Sequence, residues 1–378
     1  MLKASWARVV AHGDEAAEVF YAVLFTSAPQ LRSMFPPSMA AQRDRLLHAL
    51  GHIISNVDDA QVLASFAAQL GRDHRKYGVR NEHYPLVGYA LLETLRRALG
   101  PEWTQAMAAN WTEAYRAVAA LMNKAAEQAE GSTPPWWLAK VTDVARRAPQ
   151  VAVFTARPDY SYEYLPGQSV SVQSELRPGV WRYLSPANAP RTDGSLEFHV
   201  RAVAGGMLSP ALVYQLQPGD DIRLGSPVGH ALTTYRDTNR DLLLLAGGTG
   251  LAPLRAIVED LIATGTDRRA TLVVGAGTAA GLYDLQHLLL LQQNRPWLRV
   301  IPALQHGSLP GAQRGTAVDV AVSGGPWAGH EIYVCGPPGM LATARDRLLA
   351  AGCSPQQIHH EDYTQHPYAP AIDQAPRR

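Results

Sequence analysis

The sequence predicts three domains of different fold class: an all-α domain, then a small antiparallel β-barrel, then an α/β domain with a parallel sheet. Three observations predict this order. Apolar residues recur at helical spacing from Ser5 to about Glu130, as in amphipathic helices. Short β-type runs separated by Pro-Gly pairs follow, which is typical of antiparallel strands. A fully apolar strand ending in glycines then opens the last third, which favours a covered parallel sheet. We expect domain limits of 1–131, 132–236 and 237–378.

The composition is that of an ordinary globular protein, with 47% hydrophobic and 18% charged residues. The net charge of +1 gives no electrostatic reason to expect a nucleic-acid partner. The N-terminus lacks a signal-peptide pattern, and no apolar run reaches the length of a transmembrane segment. We therefore expect a cytoplasmic protein. Cys335 and Cys353 are too few for a disulfide framework or a cysteine-ligated zinc, and the composition leaves the oligomeric state open.

One histidine of the first domain stands at a core position. Val62, Phe66 and Leu70 step by four along one helical face, and His74 continues this stripe. A buried imidazole needs a partner, which can be a metal ion or a hydrogen-bonding group of the core. No second histidine stands three or four residues further on. If iron is bound, one protein ligand and a prosthetic group therefore fit better than a site of several protein ligands.

The order of several residues in this domain resembles the globin domain of flavohaemoglobins. The matching residues are Tyr21, Phe35, Gln42, Leu46, His74 and Tyr84. The resemblance implies that His74 is the iron ligand of haem b, that Phe35 packs on the haem, and that Tyr21, Gln42 and Leu46 form the distal pocket. A phenol and an amide there would donate hydrogen bonds to the partial negative charge of bound oxygen.

The chain also departs from that family. The proximal histidine of the family usually contacts a tyrosine and a glutamate, which increase electron donation by the imidazole. The tyrosine is present as Tyr84. Ala126 occupies the glutamate position, and Glu127 is one residue further on. That shift is about 100° around a helix, so we expect Glu127 to face away. Asp73 stands where the family commonly has a lysine beside the haem carboxylates, and Arg72 or Arg75 could replace that lysine.

The middle domain contains a short run with the side chains that a flavin needs. The strands are predicted at 151–156, 169–173, 196–203 and 221–224. Arg182, Tyr183 and Ser185 offer a cation, a ring and a hydroxyl at the end of a strand, which suits a phosphorylated flat cofactor. The alternative is a surface arginine beside a half-buried ring.

A pair of glycines follows in the same domain. Gly205-Gly206 precedes Met207-Leu208-Ser209 at the start of a predicted helix, so backbone N–H groups could approach a pyrophosphate, with Ser209 as a helix cap or phosphate donor. The alternative is a simple hairpin turn.

Together these runs resemble the FAD-binding barrel of the ferredoxin-reductase-like family. The resemblance implies FAD contacts from the Arg182 run and from Gly206, Leu208 and Ser209. In that family the arginine run reads Arg-x-Tyr-Ser, but Leu184 occupies the tyrosine position here. Ser169 likewise stands where flavohaemoglobins often have a tyrosine. Tyr183 is adjacent, but alternation along a strand puts it on the opposite face.

Two strands of the last domain end in glycine motifs. Strands are predicted at 242–246, 271–275, 298–302 and 331–335. The first enters Gly247-Gly248-Thr249-Gly250-Leu251-Ala252-Pro253 and the last enters Gly336-Pro337 after Cys335. A glycine turn between such a strand and a helix suits a phosphate, although Pro253 excludes the G-x-G-x-x-G fingerprint. Both turns could instead be purely structural.

These motifs resemble the Gly-Gly-x-Gly and Cys-Gly-Pro elements of the NAD(P)H domain in the same reductase family. The resemblance implies that both bind the coenzyme, with Cys335 near the nicotinamide, and that Tyr363 covers the flavin ring with Glu361 close by. The loop 275–278 lacks an arginine, and Arg314 is the one cation that we expect to lie near it. A 2′-phosphate favours bidentate arginine contacts, so NADH is favoured over NADPH.

The module order resembles a flavohaemoglobin of a divergent subgroup. It implies hydride transfer from NAD(P)H to FAD, electron transfer to haem, and reaction of O₂ with NO to give nitrate. Three alternatives stay open: another flavin and haem redox role, such as oxidation of a hydroxy acid; a haem-based gas sensor with a reductase; and a flavin reductase with a haemless helical domain.

Overall fold

The computed structural model describes residues 1–11, 13–36 and 38–360. The chain divides into two compact units, the first running from the N-terminus through Trp136 and the second beginning at Trp137. No helix among the described residues is both long enough and apolar enough to cross a membrane.

The first unit is all-α, as the sequence predicts. In its described residues the α-helices are α1 (Leu2–Val10), α2 (Gly13–Ser27), α3 (Ala40–Ser55), α4 (Ala60–His74), α5 (Tyr84–Leu99) and α6 (Gln105–Glu130). The apolar faces of α1, α2, α3, α5 and α6 enclose one core, which includes Phe20, Leu24, Leu95 and Trp111. Helix α4 is capped by Asp59, whose carboxylate accepts hydrogen bonds from the backbone N–H groups of Gln61 and Val62. Such a cap satisfies N–H groups that have no partner within the helix.

The stripe expected on α4 is only partly correct. Leu70 is buried and Phe66 is half-buried, but Val62 in the first turn is 39% exposed. The first turn of α4 therefore extends beyond the core, and the inward face begins one turn later. The end of α4 that carries His74 lies on the core side, which is the part of the prediction that matters for the site.

The second unit begins with an antiparallel barrel, also as predicted. Its strands are β1 (Trp137–Ala148), β2 (Val151–Pro158), β3 (Ser169–Ser174), β4 (Arg182–Leu184), β5 (Leu196–Arg201) and β6 (Asp221–Val228), with helix α7 (Leu208–Tyr214) after β5. They pair in the order β4-β3-β6-β1-β2-β5. A bridge between Pro186 and Phe198 joins the end that follows β4 to β5, so the sheet closes on itself.

Two differences from the predicted strands have clear reasons. The prediction omits β1 because charged residues such as Arg146 and Arg147 interrupt its second half, where most side chains are exposed or half-exposed. Strand β5 ends at Arg201, not at residue 203, because Ala202 and Val203 turn into the Gly205-Gly206 loop. A strand that lacks a continuous buried face gives little periodic signal.

The rest of the second unit is a parallel α/β sheet, as predicted. Its elements are β7 (Leu242–Gly247), α8 (Leu251–Thr264), β8 (Ala270–Ala276), α9 (Leu285–Gln292), β9 (Leu298–Leu304), β10 (Gln313–Arg314), α10 (Ala317–Gly324), β11 (Glu331–Cys335), α11 (Pro338–Ala350) and β12 (Ile358–His360). The strand order is β10-β9-β8-β7-β11-β12. Strands β7 and β11 are neighbours in parallel register, and every residue of β7 is buried. Their carboxyl ends therefore meet at one edge, where ligands bind in sheets of this kind.

A close approach of α4 to α6 in the first unit yields a prediction. A Cβ atom on Gly71 of α4 would lie 2.1 Å from the Met122 carbonyl oxygen of α6. Gly71→Ala should therefore force the helices apart and lower the free energy of unfolding by about 2 kcal/mol. Urea unfolding followed by the helical circular dichroism signal measures this change.

Gly131→Ala is the matched control, because nothing lies within 4 Å of the added Cβ atom and the residue has right-handed helical geometry. Equal unfolding midpoints for the two variants would contradict the predicted close approach of α4 and α6.

Candidate functional site

His74 is the last residue of α4, and one hydrogen bond fixes its ring. Its Nδ1 lies 2.7 Å from the carbonyl oxygen of Leu70, one turn earlier in the same helix. A carbonyl can only accept, so Nδ1 carries the proton and donates. Burial lowers the pKa of His74, although the charge of Asp73 opposes this change. The imidazole is therefore neutral near pH 7, with the lone pair on Nε2.

The geometry of His74 fits a haem iron ligand. Across the described part of the chain, no group forms a hydrogen bond with Nε2. A neutral imidazole whose Nδ1–H is held by a backbone carbonyl is the form in which histidine binds metal ions. The described residues contain no group of three or more histidine, cysteine or acidic side chains that could hold a metal ion. The donor set therefore suits iron that brings its own prosthetic ligand.

The residues expected to support the proximal histidine are only partly in place. Tyr84 is half-buried, and burial raises its pKa to about 12, while its carbonyl accepts a hydrogen bond of 2.6 Å from the hydroxyl of Tyr115. Glu127 is exposed and accepts a hydrogen bond of 2.9 Å from Asn81, so it faces away as predicted. The partner of His74 Nδ1 is thus a backbone carbonyl rather than a carboxylate.

Asp73 forms a buried ion pair next to the histidine. The Nζ atom of Lys76 lies 2.5 Å from its Oδ1, with both side chains almost fully buried. The replacement expected from Arg72 or Arg75 is not supported by their contacts: Arg72 donates to Gln69, and Arg75 donates to the hydroxyl and carbonyl oxygens of Thr133. Position 73 therefore does not supply the positive charge that the lysine of the family supplies. Arg72 and Arg75 bind other groups and do not replace it.

The structure brings the predicted distal residues together. The Tyr21 hydroxyl is buried and donates to the backbone carbonyl of Gln42 at 3.3 Å. Burial raises the pKa of Tyr21 well above its usual range, so the phenol stays protonated. Its ring packs edge-on against Phe35 at 5.5 Å between centroids. Leu46 is a half-buried member of the same core.

The barrel residues predicted to bind a flavin lie on β4 and just after it. Arg182, Tyr183 and Ser185 are all half-buried, and the Ser185 hydroxyl lies 3.2 Å from that of Ser169. Leu184 packs against the barrel core, so it provides a core contact where the family has a phenol. A guanidinium, an accessible ring and paired hydroxyls still form a donor set that fits a phosphorylated ring cofactor.

The glycine loop after β5 differs in one respect from its prediction. Met207, not Ser209, holds the N-cap position of α7, and the Ser209 hydroxyl accepts a hydrogen bond from the backbone N–H of Val203. The expected capping role of Ser209 is therefore wrong, because its hydroxyl closes the preceding loop instead. Leu208 is fully buried in the barrel core, which leaves only its backbone for a cofactor. Gly206 lies within this closed loop.

The two glycine motifs of the parallel sheet form one cradle. A Cβ atom on Gly250 would lie 2.3 Å from the carbonyl oxygen of Cys335, and one on Gly336 would lie 3.2 Å from Cα of Gly247. Only glycine allows this approach between the ends of β7 and β11. The remaining predicted residues differ in exposure: Gly248 and Thr249 are half-exposed, Pro253 and Cys335 are buried, and Pro337 is exposed. The cradle fits the backbone of a dinucleotide.

Sequence reasoning missed a buried charge network that joins the barrel to the α/β part. Arg255 of α8 is 2% exposed. It donates to Glu197 of β5 at 2.6 Å, to Asp284 at 3.1 Å and to Glu259 at 2.9 Å. Burial opposes the charged form, but these carboxylates raise the pKa of Arg255 above its usual range. The available signal was an arginine inside the apolar stripe of α8, with Glu259 four residues later.

His199 completes this network. Its Nδ1 lies 2.8 Å from the Tyr283 hydroxyl, and its Nε2 lies 3.2 Å from Glu197. Burial lowers the pKa of His199, which favours a neutral ring beside Arg255. The network therefore fixes β5 against α8 and against the segment that precedes α9.

Two expected flavin contacts cannot be placed, because Glu361 and Tyr363 lie outside the described residues. Arg314 is exposed on the short edge strand β10. It pairs through the backbone with the end of β9 and not with residues 275–278 at the end of β8.

Three family models match the chain in the predicted order. They are Globin over residues 18–122, Oxidoreductase FAD-binding domain over 137–232 and Oxidoreductase NAD-binding domain over 244–346. The matches confirm the predicted fold classes and the cofactors haem, FAD and NAD(P)H.

Full-length similarity extends across all three parts. A flavohemoprotein of Bordetella pertussis is 29% identical over 96% of each chain. A crystal structure of flavohemoglobin from Malassezia yamatoensis has the same fold, with a TM-score of 0.76, 18% identity and coverage of 94% of this chain and 98% of that one. The reductase subunit of an aromatic O-demethylase from Amycolatopsis is 32% identical over 60% of this chain and 67% of its own length.

The N-terminal globin thus continues into an FAD-binding barrel and an NAD-binding sheet, as in full-length relatives. Such a chain is an NAD(P)H oxidoreductase built to pass electrons through FAD to haem. The chain belongs to the flavohaemoproteins.

Proposed function

We propose that the protein is a nitric oxide dioxygenase, which uses electrons from NADH to convert NO and O₂ into nitrate. The conversion of one NO and one O₂ into nitrate consumes one electron. A hydride supplies two electrons, so one NADH supports two turnovers. The observation that carries the proposal is the neutral His74 with an open Nε2, in a globin domain that is part of the same chain as a complete reductase. For the globin, FAD-binding and NAD(P)H-binding domains we propose the limits 1–131, 132–236 and 237–378.

The distal residues are suited to this chemistry. Haem, when bound, supplies an iron atom at which O₂ and NO combine. Burial keeps the Tyr21 phenol protonated, so it serves as a hydrogen-bond donor and not as an acceptor of charge. The Oε1 atom of Gln42 accepts a hydrogen bond from Arg45, which leaves its N–H₂ group available to donate. The Tyr21 hydroxyl, which here donates to the Gln42 carbonyl, and the Gln42 amide would both donate to bound O₂ and stabilise its developing negative charge.

The reductase residues determine how the coenzyme is held. FAD, when bound, accepts a hydride and releases single electrons. The cradle of Gly250 and Gly336 positions the dinucleotide, and the Arg255 network keeps the barrel strand β5 fixed against α8, whose first turn follows Gly250. The loop 275–278 contains no cation, and Arg314 lies on an edge strand next to β9, which favours NADH over NADPH. O₂, NO and NADH are thus the proposed substrates.

Two observations favour a second candidate function. His74 bonds to a carbonyl instead of a carboxylate, and a carboxylate partner would increase electron donation from the imidazole. The reductase half is also 32% identical to a reductase subunit that acts in aromatic O-demethylation. The alternative is therefore another redox role for the same flavin and haem. Nitrate formed no faster than with free haem would favour this alternative.

Replacement of Tyr21 tests the dioxygenase proposal. Tyr21→Phe keeps the ring and its packing but removes the donor, so NO consumption by the oxygenated protein should slow by about tenfold or more. Stopped-flow mixing with NO, followed by nitrate determination, measures the rate.

Tyr89→Phe is the matched control, because Tyr89 is 56% exposed on α5. This variant should react like the unmodified protein. A Tyr21→Phe variant as fast as the control would rule out the proposed donor role.

Replacement of Gly250 tests the coenzyme cradle. Because the new methyl group would collide with the Cys335 carbonyl, Gly250→Ala should slow flavin reduction by NADH by at least about tenfold. Reduction by dithionite, which needs no coenzyme site, should be unchanged. Gly339→Ala, with no atom within 4 Å of the new Cβ, should behave normally in both assays. A normal NADH rate in Gly250→Ala would place the coenzyme elsewhere.

Replacement of His74 tests the haem assignment against the alternative of a haemless helical domain. His74→Ala removes the proposed iron ligand without touching the reductase. We expect the Soret band of the purified protein to be lost or strongly shifted, while the flavin absorbance and its reduction by NADH persist. His83→Ala, in the turn before α5, is the control and should keep the Soret band. An unchanged spectrum in His74→Ala would show that another residue binds the iron.

A further inference from the structure

Arg45 is a cation of the first unit whose contact with Gln42 uses only part of its hydrogen-bonding capacity. It lies on α3 and is half-buried. Its Nη1 donates to Gln42 Oε1 at 3.1 Å. Its Nε is buried, and none of the described residues accepts a hydrogen bond from it. A buried guanidinium N–H without an acceptor is costly, so this atom indicates a missing anionic or polar group.

The surroundings of Arg45 locate that group. Gln42, which accepts the hydrogen bond of Arg45, also accepts one of 3.3 Å from the buried Tyr21 hydroxyl through its backbone carbonyl. The guanidinium therefore lies beside the predicted distal residues. The positive charge of Arg45 also opposes the increase that burial causes in the pKa of Tyr21. Arg45 thus borders the predicted distal pocket.

The other nearby cations have partners of their own. Lys76 pairs with Asp73 in a buried bridge, and Arg75 is held by Thr133. On the same helix as Arg45, Arg43 pairs with Asp14 and Glu18. No described carboxylate pairs with Arg45. Its charge is therefore left uncompensated at the edge of the haem region.

We propose that Arg45 binds a propionate carboxylate of the haem and so replaces the cation that position 73 lacks. Haem b carries two such carboxylates, and a guanidinium fork matches a carboxylate better than an ammonium does. The Nε–H, which has no acceptor among the described residues, would donate to the carboxylate while Nη1 still donates to Gln42. The inference rests on haem binding by His74 and is independent of NO chemistry.

Haem release tests the assignment without enzymatic turnover. The ferric holoprotein is mixed with excess apomyoglobin, and the transfer of haem is followed by absorbance. Loss of a charge-assisted hydrogen bond should make Arg45→Met release haem about tenfold faster. Arg45→Lys should fall between Arg45→Met and the unmodified protein, because it keeps the charge without the fork. The matched control Arg43→Met removes a cation from the same helix and should release haem at the normal rate.

Haem dimethyl ester separates the carboxylate contact from other effects of Arg45. The proteins are reconstituted with this ester, whose propionates carry no charge. If Arg45 binds a propionate, the difference between Arg45→Met and the unmodified protein should disappear. If the variant releases the ester tenfold faster as well, Arg45 acts through Gln42 or through folding, and the proposal is overturned. Equal release of ordinary haem by Arg45→Met and Arg43→Met overturns it too. Loss of haem binding in His74→Ala tests the cofactor assignment separately.

Discussion

The hydrogen bond from His74 Nδ1 to the carbonyl oxygen of Leu70 is the interaction on which the haem half depends. It selects the tautomer that leaves the lone pair on Nε2, and it lies within one turn of α4, so the helix itself sets the direction of the ring. Burial of that turn against α6 requires glycine at position 71, where any side chain would meet the Met122 carbonyl. Helix packing and iron binding are therefore one constraint. A change that separates α4 from α6 also changes the aim of the imidazole.

The same hydrogen bond limits how much electron density the His74 imidazole can donate to the iron. A backbone carbonyl is a weaker acceptor than a carboxylate, so His74 donates less electron density than in a histidine–carboxylate pair. The neighbouring Asp73 is paired with Lys76 in a buried bridge. Arg45, in contrast, has no carboxylate partner among the described residues, and this is the basis of its proposed contact with a haem carboxylate.

Sequence patterns predicted the features that depend on local chemistry. The apolar β7 with its glycine turn and the order of Tyr21, His74 and Tyr84 each depend on a few adjacent or regularly spaced residues. The Arg255 network could not be predicted in this way, because its carboxylates come from β5, α8 and the segment before α9 and meet only in the folded chain. The ion pair of Asp73 with Lys76 was missed for a different reason. An i,i+3 pair normally lies on an exposed helix face, and only tertiary packing shows that this one is buried.

The buried network of Arg255 holds the barrel and the parallel sheet of the reductase half in a fixed relative position. Arg255 is surrounded by Glu197, Glu259 and Asp284, and removing one carboxylate would leave the others to share one guanidinium. Breaking a buried pair costs far more than an exposed pair contributes. The β5 strand of the barrel thus cannot shift against α8 without exposing or unpairing a charge. Because α8 begins directly after Gly250, this rigidity extends to the cradle. Hydride transfer requires a close and constant approach of two rings, and a barrel strand that is fixed against α8 favours that constancy.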